Sequence, residues 1–141
     1  MLYETLLAFD FGLSYIGVAT GQAITHTATP LTTLRAHEGE PNWKQIDALI
    51  HDWRPDAIIV GIPLNMDGSE QSITEHARQF IELLKKRYHL PVLGMDERLS
   101  TKEAKHLLFS QQGYKALSRN AINATSAQII LESWFHTHHE K

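Results

Sequence analysis

Asp10 is the first residue whose type does not suit its neighbours. It sits in Leu6-Leu7-Ala8-Phe9-Asp10-Phe11, a nearly continuous apolar run that ends at Gly12. Burying an unpaired carboxylate in such a run is costly. Its presence therefore predicts either a structural acid satisfied by backbone donors or an arginine, or a metal ligand or acid–base group at a strand end. Asp96-Glu97 follows another apolar run, Pro91 to Met95, and the carboxyl ends of strands are where open α/β sheets bind ligands. Neighbouring side chains on a strand point to opposite faces, so only one of Asp96 and Glu97 can readily join Asp10. The plainer alternative has both flanking a loop and pairing with Arg98. Two carboxylates brought together repel unless a cation lies between them. Oxygen ligation in a chain without cysteine suits a hard ion such as Mg²⁺ or Mn²⁺.

Gly12 and Gly17 frame a first turn, where glycine permits both a tight bend and the close approach of a phosphate backbone; most such glycines merely make hairpins. Neither GxGxxG nor a Walker-type Gly-Lys-Ser/Thr is present. The basic candidates are Arg98, Lys102, Lys105, Lys115 and Arg119. Lys102, Lys105 and His106 share one helix face by spacing, for which a solvated surface is the default reading. Lys85-Lys86-Arg87 complements the negative end of its helix. Nine histidines are scattered except for His136, His138 and His139, and no HExxH pairing exists.

The elements that must position these groups follow from periodicity. Leu6 to Phe11 predicts a doubly buried strand. Tyr15 to Thr20 and Thr27 to Leu34, rich in Thr, Val, Ile and Tyr, add two more strands as a meander. Pro41 suits the first turn of a helix whose stripe is Trp43, Ile46, Leu49, Ile50 and Trp53, and Arg54-Pro55-Asp56 stops it. Ala57 to Ile62 is a fourth strand, and Asn65 to Ser69 is a loop with an Asp-Gly turn. Ser72-Ile73-Thr74-Glu75 fits a capping box ahead of Ile73, Ala77, Phe80, Ile81 and Leu84. Pro91 to Met95 is the fifth strand. Ser100 to Glu103 opens a third helix that Gly113 breaks, and a last helix spans about Asn123 to Phe135, with Ala127, Ile130, Leu131 and Trp134 or Phe135 inward. The order β-β-β-α-β-α-β-α-α predicts an α/β fold: a mixed five-stranded sheet with helices on both faces, in one domain over residues 1–141.

Composition narrows the function. Apolar residues make up 43% and charged residues 21% of 141 residues, so disordered and fibrous classes are poor fits. The absence of cysteine excludes disulfide scaffolds, thiolate metal sites and cysteine nucleophiles. No apolar run approaches the ~20 residues of a membrane helix, and the N-terminus lacks a secretory pattern, so a cytoplasmic location and no membrane partner are expected. Net charge −3 argues against whole-surface binding to nucleic acid but allows a local basic groove.

Four stretches in one order carry a resemblance: Ala8-Phe9-Asp10-Phe11-Gly12 with Ile16-Gly17-Val18-Ala19; Val60-Gly61-Ile62-Pro63-Leu64-Asn65-Met66-Asp67-Gly68; Asp96-Glu97-Arg98-Leu99-Ser100-Thr101; and Ser126-Ala127-Gln128-Ile129-Ile130-Leu131-Glu132-Ser133. Together they resemble the YqgF family of bacterial proteins, relatives of Holliday junction resolvases assigned to nuclease processing of the 5′ end of pre-16S rRNA. The resemblance runs over nearly the whole chain and implies a ribonuclease H-like fold. It also implies Mg²⁺ or Mn²⁺ catalysis by three acidic positions: Asp10 matches the first, and Glu97 the second, with Asp96 the less favoured ligand. The third, at the start of the last helix, falls on Asn123.

An amide oxygen can ligate a metal but brings no negative charge, so the change should weaken the site for a second cation more than for the first. The resemblance implies a nuclease whose partner is precursor ribosomal RNA or branched DNA, with Gly12, Arg98, Lys102, Lys105 and Arg119 against substrate phosphates. An exposed apolar helix face would add a homodimer. Asn123 motivates the alternative: a relative that binds nucleic acid or a processing protein without cutting. A sugar-kinase or actin-like ATPase would need two such domains, and 141 residues supply one.

Overall fold

Leu6, Leu7, Ala8 and Phe9 have no exposed surface, as a strand covered on both faces requires. They form β1 (Thr5–Asp10) at the centre of the sheet in this computed structural model, which describes residues 3–65, 67–97 and 119–137. β2 (Tyr15–Gln22) and β3 (Thr27–His37) follow as antiparallel neighbours. β4 (Glu40–Pro41) adds a two-residue edge. β5 (Ala57–Ile62) lies parallel to β1 on its other side, and β6 (Val92–Asp96) parallel to β5. The order is β4-β3-β2-β1-β5-β6. The sheet thus has six strands rather than the five expected, because Pro41 pairs with Ala36 as β4 instead of opening a helix.

Three helices cover the sheet among the described residues. α1 (Trp43–Trp53) and α2 (Ser72–Tyr88) pack on one face, where Leu7, Phe9, Ile16, Val18, Ile58 and Val60 meet Ile46, Ala77, Phe80 and Leu84. α3 (Arg119–Thr137) packs on the other, joining Leu6, Ala8, Ala57 and Ile59 to Ile130, Leu131, Trp134 and Phe135. The pleat explains the split: alternate residues of β1 and β5 serve opposite cores.

Local chemistry sets the helix ends. Asn42, extended at φ −79° and ψ 104°, caps α1 by accepting from Lys44 N at 3.0 Å, so the helix begins at Trp43. Arg54, left-handed at φ 44°, ends it by donating its N–H to the Ile50 carbonyl at 2.9 Å. Trp53, expected in the buried stripe, is 39% exposed because it sits in that last turn as the chain swings away. The α2 box is displaced by one residue from the expected register. Gln71 is the N-cap and its N–H donates to Thr74 Oγ1 at 2.9 Å, because the buried Thr74 hydroxyl is itself anchored on the Pro63 carbonyl. α3 begins at Arg119, four residues before the expected start, as no proline or glycine interrupts Arg119–Asn123. The third predicted helix, with its capping box and Gly113, lies outside the described residues.

Arg87 ties α2 to α1. Its guanidinium donates to Asp47 Oδ1 and Oδ2 at 2.9 and 2.8 Å and lies 5.3 Å from the Trp43 ring centroid. Tyr88 Oη donates to the same Asp47 Oδ1 at 2.6 Å. These hydrogen bonds, that from Arg87 foremost, hold the Asp47 carboxyl down to about 2. Burial first, then the bond to Asp47, pushes the Tyr88 phenol up.

Candidate active site

β1 sits where the sheet changes from antiparallel to parallel, and the carboxyl end of such a switch strand faces a natural crevice. Asp10 occupies that end. Across the sheet it lies opposite Gly17 of β2 and opposite Gly61 of β5. Leu6 and Ala8, in phase with Asp10, belong to the core beneath α3. Asp10 therefore projects toward α3, between two neighbours without side chains.

The two glycines make room for different things. At Gly17 a Cβ would overlap the carbonyl oxygen of Asn123 and lie 3.1 Å from the nitrogen of Ala124, so α3 touches β2 backbone to backbone. At Gly61 a Cβ would lie 2.7 Å from Glu97 Oε1, 3.0 Å from its Cγ and 2.6 Å from Ile130 Cδ1. Residues paired across adjacent strands stand about 4.8 Å apart. The Glu97 carboxylate thus lies over the neighbour of Asp10 on one side, and the backbone carbonyl of Asn123 over its neighbour on the other. All three residues are half-buried.

The same alternation separates the acidic pair. Met95, in phase with Glu97, lies in the core beneath α3. Asp96 pairs with Ile62, which packs against the core beneath α1 and α2. Glu97, not Asp96, is therefore gathered with Asp10; Asp96 faces the other side of the sheet.

By residue type, the carboxylates of Asp10 and Glu97 and the carboxamide of Asn123 are an all-oxygen donor set, which fits a hard divalent cation; the Asn123 atom that meets Gly17 is its backbone carbonyl. The set carries one charge fewer than three acids would. Among the described residues no group of three His, Cys, Asp or Glu is gathered in one place, so a third donor beside Asp10 and Glu97 would have to come from another residue type, such as the amide of Asn123.

Other residues named from the sequence fall as follows. Gly12 lies in the loop from β1 to β2, where a Cβ would overlap the Tyr15 carbonyl, a sufficient reason for glycine there. Gly17 is not in that turn but within β2. Arg119 is the first residue of α3. Arg98, Lys102, Lys105 and Lys115 lie outside the described residues. The loop after β5 is held by Asn65 Nδ2 donating to Ser69 Oγ at 3.0 Å and by Gly68 at φ 91°, at the same sheet edge as Asp10. Gly61 was not anticipated as a site residue. Its one signal was a glycine among the β-branched residues of Ile58-Ile59-Val60-Gly61-Ile62.

Comparison with known proteins adds three findings. The family model described as RuvX: Holliday junction resolvase matches residues 4–137. Proteins named "Putative pre-16S rRNA nuclease" from Haemophilus ducreyi and Photorhabdus laumondii are each 54% identical to this chain. The first aligns over 131 residues, 93% of this chain and 95% of that protein; the second over 132 residues, 94% and 95%. Among solved structures, Thermus thermophilus RuvC in complex with a Holliday junction substrate superposes at a TM-score of 0.60 and 16% identity, covering 95% of this chain and 94% of that one. The yeast mitochondrial Holliday junction resolvase Ydc2 superposes at 0.55 and 9%, covering 92% and 77%. The fold is that of the ribonuclease H-like resolvases.

Proposed function

Because the chain belongs to the RuvX family, the family its motifs resemble under the name YqgF, we propose that it hydrolyses a phosphodiester bond of nucleic acid at Asp10, Glu97 and Asn123, and that its substrate is the 5′ end of pre-16S rRNA. The observation that carries the site is the row Gly61–Asp10–Gly17, with the Glu97 carboxylate over one glycine and Asn123 over the other. The names of relatives at 54% identity favour the RNA substrate.

Asp10, in the middle of the row, would hold the metal from the sheet and Glu97 from the strand end. Asn123 would offer a neutral oxygen. When bound, Mg²⁺ or Mn²⁺ supplies a Lewis acid and lowers the pKa of its water toward neutrality. The residues themselves would fix where the ion, and through it the scissile phosphate, sits at the sheet edge, and the half-burial of all three limits competing water. Gly12 and Arg119, with Arg98, Lys102 and Lys105, are proposed contacts for flanking phosphates. No described helix is long and apolar enough to cross a membrane, and a ribosomal RNA substrate supports a cytoplasmic location.

The test is a cleavage assay with Mg²⁺ or Mn²⁺ that offers 5′-extended 16S rRNA and a four-way DNA junction side by side. Wild type should cut the RNA, Asp10→Asn should not, and Asn123→Asp should cut at lower metal concentration. Preference for the junction would move the substrate to branched DNA. Equal cleavage by wild type and Asp10→Asn would overturn the site. If wild type is inert and Asn123→Asp cuts, the chain is a binding relative whose chemistry has lapsed.

A further inference from the structure

The pair Tyr15–Arg35 is the next same-face row of the sheet beyond Gly17–Thr33. The pair between them, Ile16–Leu34, is buried in the core beneath α1 and α2, so Tyr15 and Arg35 share the face of Asp10. Both line a cleft of about 600 Å³ at this edge of the sheet, with Ser14, His37, Glu40 and Asn42. Arg35 pairs with no carboxylate among the described residues. Glu40, the one carboxylate lining the cleft, is occupied at Oε1 by Trp43 Nε1 at 2.9 Å. Asn42 spends its Oδ1 on Lys44 N, which leaves its amide nitrogen, a donor. The cleft therefore offers an unpaired guanidinium and the Asn42 amide donor beside one carboxylate already held by Trp43, and the guanidinium is the group that receives a phosphate.

Its position says which phosphate. Arg35 lies two strands across from Asp10 and two residues further along, about 12 Å away by standard sheet spacings. That span is one to two nucleotide steps along an extended strand. We propose that this cleft holds a backbone phosphate of the nucleic-acid substrate, one or two nucleotides from the phosphate presented to Asp10, with Arg35 as its cation. The proposal rests on the nuclease reading for the phosphate at Asp10, but the cleft itself is read by binding.

The experiment measures binding of 5′-extended 16S rRNA and, in a parallel arm, a four-way DNA junction across a salt series. Every variant is made in the Asp10→Asn chain so that nothing is cut. Arg35→Ala should weaken binding about tenfold, as loss of a hydrogen-bonded charge does. It should also lower the slope of log affinity against log salt by about 0.7 to 0.9, one phosphate contact. Arg35→Lys should restore the slope. Lys85→Ala, at the far end of α2, should change neither. Unchanged binding in Arg35→Ala, or an equal loss in Lys85→Ala, overturns the cleft. Wild-type cleavage is run separately: cutting without an Arg35 effect sinks the cleft alone, and Arg35-dependent binding without cutting sinks the nuclease reading alone.

Discussion

Adding one methyl group at Gly61 should disable the site while leaving the fold standing. The new Cβ would meet Glu97 Oε1 at 2.7 Å, Glu97 Cγ at 3.0 Å and Ile130 Cδ1 at 2.6 Å. All three atoms belong to side chains that can turn. Overpacking of this kind costs about 1–3 kcal/mol, and the stiffer unfolded chain returns about 0.4–1 kcal/mol. The net cost is at most ~2.5 kcal/mol, or a fall in Tm below ~10 °C for a chain of this length. Glu97 fares worse. Its carboxylate must retreat by about 0.7 Å, from 2.7 Å to the ~3.4 Å where ordinary contact begins. Misplacing a reacting group by ~1 Å costs about 100-fold in rate, so single-turnover cleavage should drop ten- to a hundredfold. The assay pairs that rate with a circular-dichroism melt of the same sample. Wild-type cleavage by folded Gly61→Ala would refute the placement of Glu97; a chain that no longer melts cooperatively would refute the claim that side chains alone fill the space.

Gly17→Ala should behave oppositely, since its Cβ meets the Asn123 carbonyl and neither backbone can rotate away; a loss above ~3 kcal/mol, seen as a Tm fall of at least ~10 °C, is expected. Asp47→Asn should lower the Tm above pH 3.8. Because the Asp47 carboxyl is held down to about 2 in the folded chain, its stabilisation is present above 3.8 and fades as pH falls toward 2, so the two melting curves should converge there. Glu132 gives the reverse sign. Although the residue remains exposed, partial desolvation raises its carboxyl above 4.5. Glu132→Gln should therefore melt slightly higher than wild type at neutral pH, with the difference gone below pH 4.5.

Much of the sheet was legible because burial on both faces leaves an apolar run that few other elements share. β1 and β5 show it, and Asp10 stood out only by breaking such a run. The α2 stripe was legible by the same logic at helical period: Ala77, Phe80, Ile81 and Leu84 are all buried. What escaped was set by tertiary contact. Nothing local says that Pro41 pairs with Ala36, or that Gln71 and Thr74 rather than Ser72 and Glu75 close the α2 box, since the first depends on a turn and the second on the Pro63 carbonyl earlier in the chain. Likewise Gly17 read as a turn glycine, and only the approach of α3 across more than a hundred residues shows why it has no side chain. The choice between Asp96 and Glu97 was open for a related reason. Alternation says that the two differ, but only the partners Ile62 and Met95 say which face is which.

The spacing of the trio along the chain sets when the site can exist. β1, β2 and β3 are hairpin neighbours and can pair as soon as they are made. Asn123, in contrast, follows Asp10 by 113 residues, about 6 to 23 s of synthesis at usual rates. Until α3 emerges and seats itself on Gly17, a nascent chain carries Asp10 and then Glu97 without their third partner. Contacts of such long sequence separation also carry the larger loop-closure cost, which slows their formation. If the trio cuts ribosomal RNA as proposed, the chain would be unarmed for most of its synthesis on the ribosome that is making it.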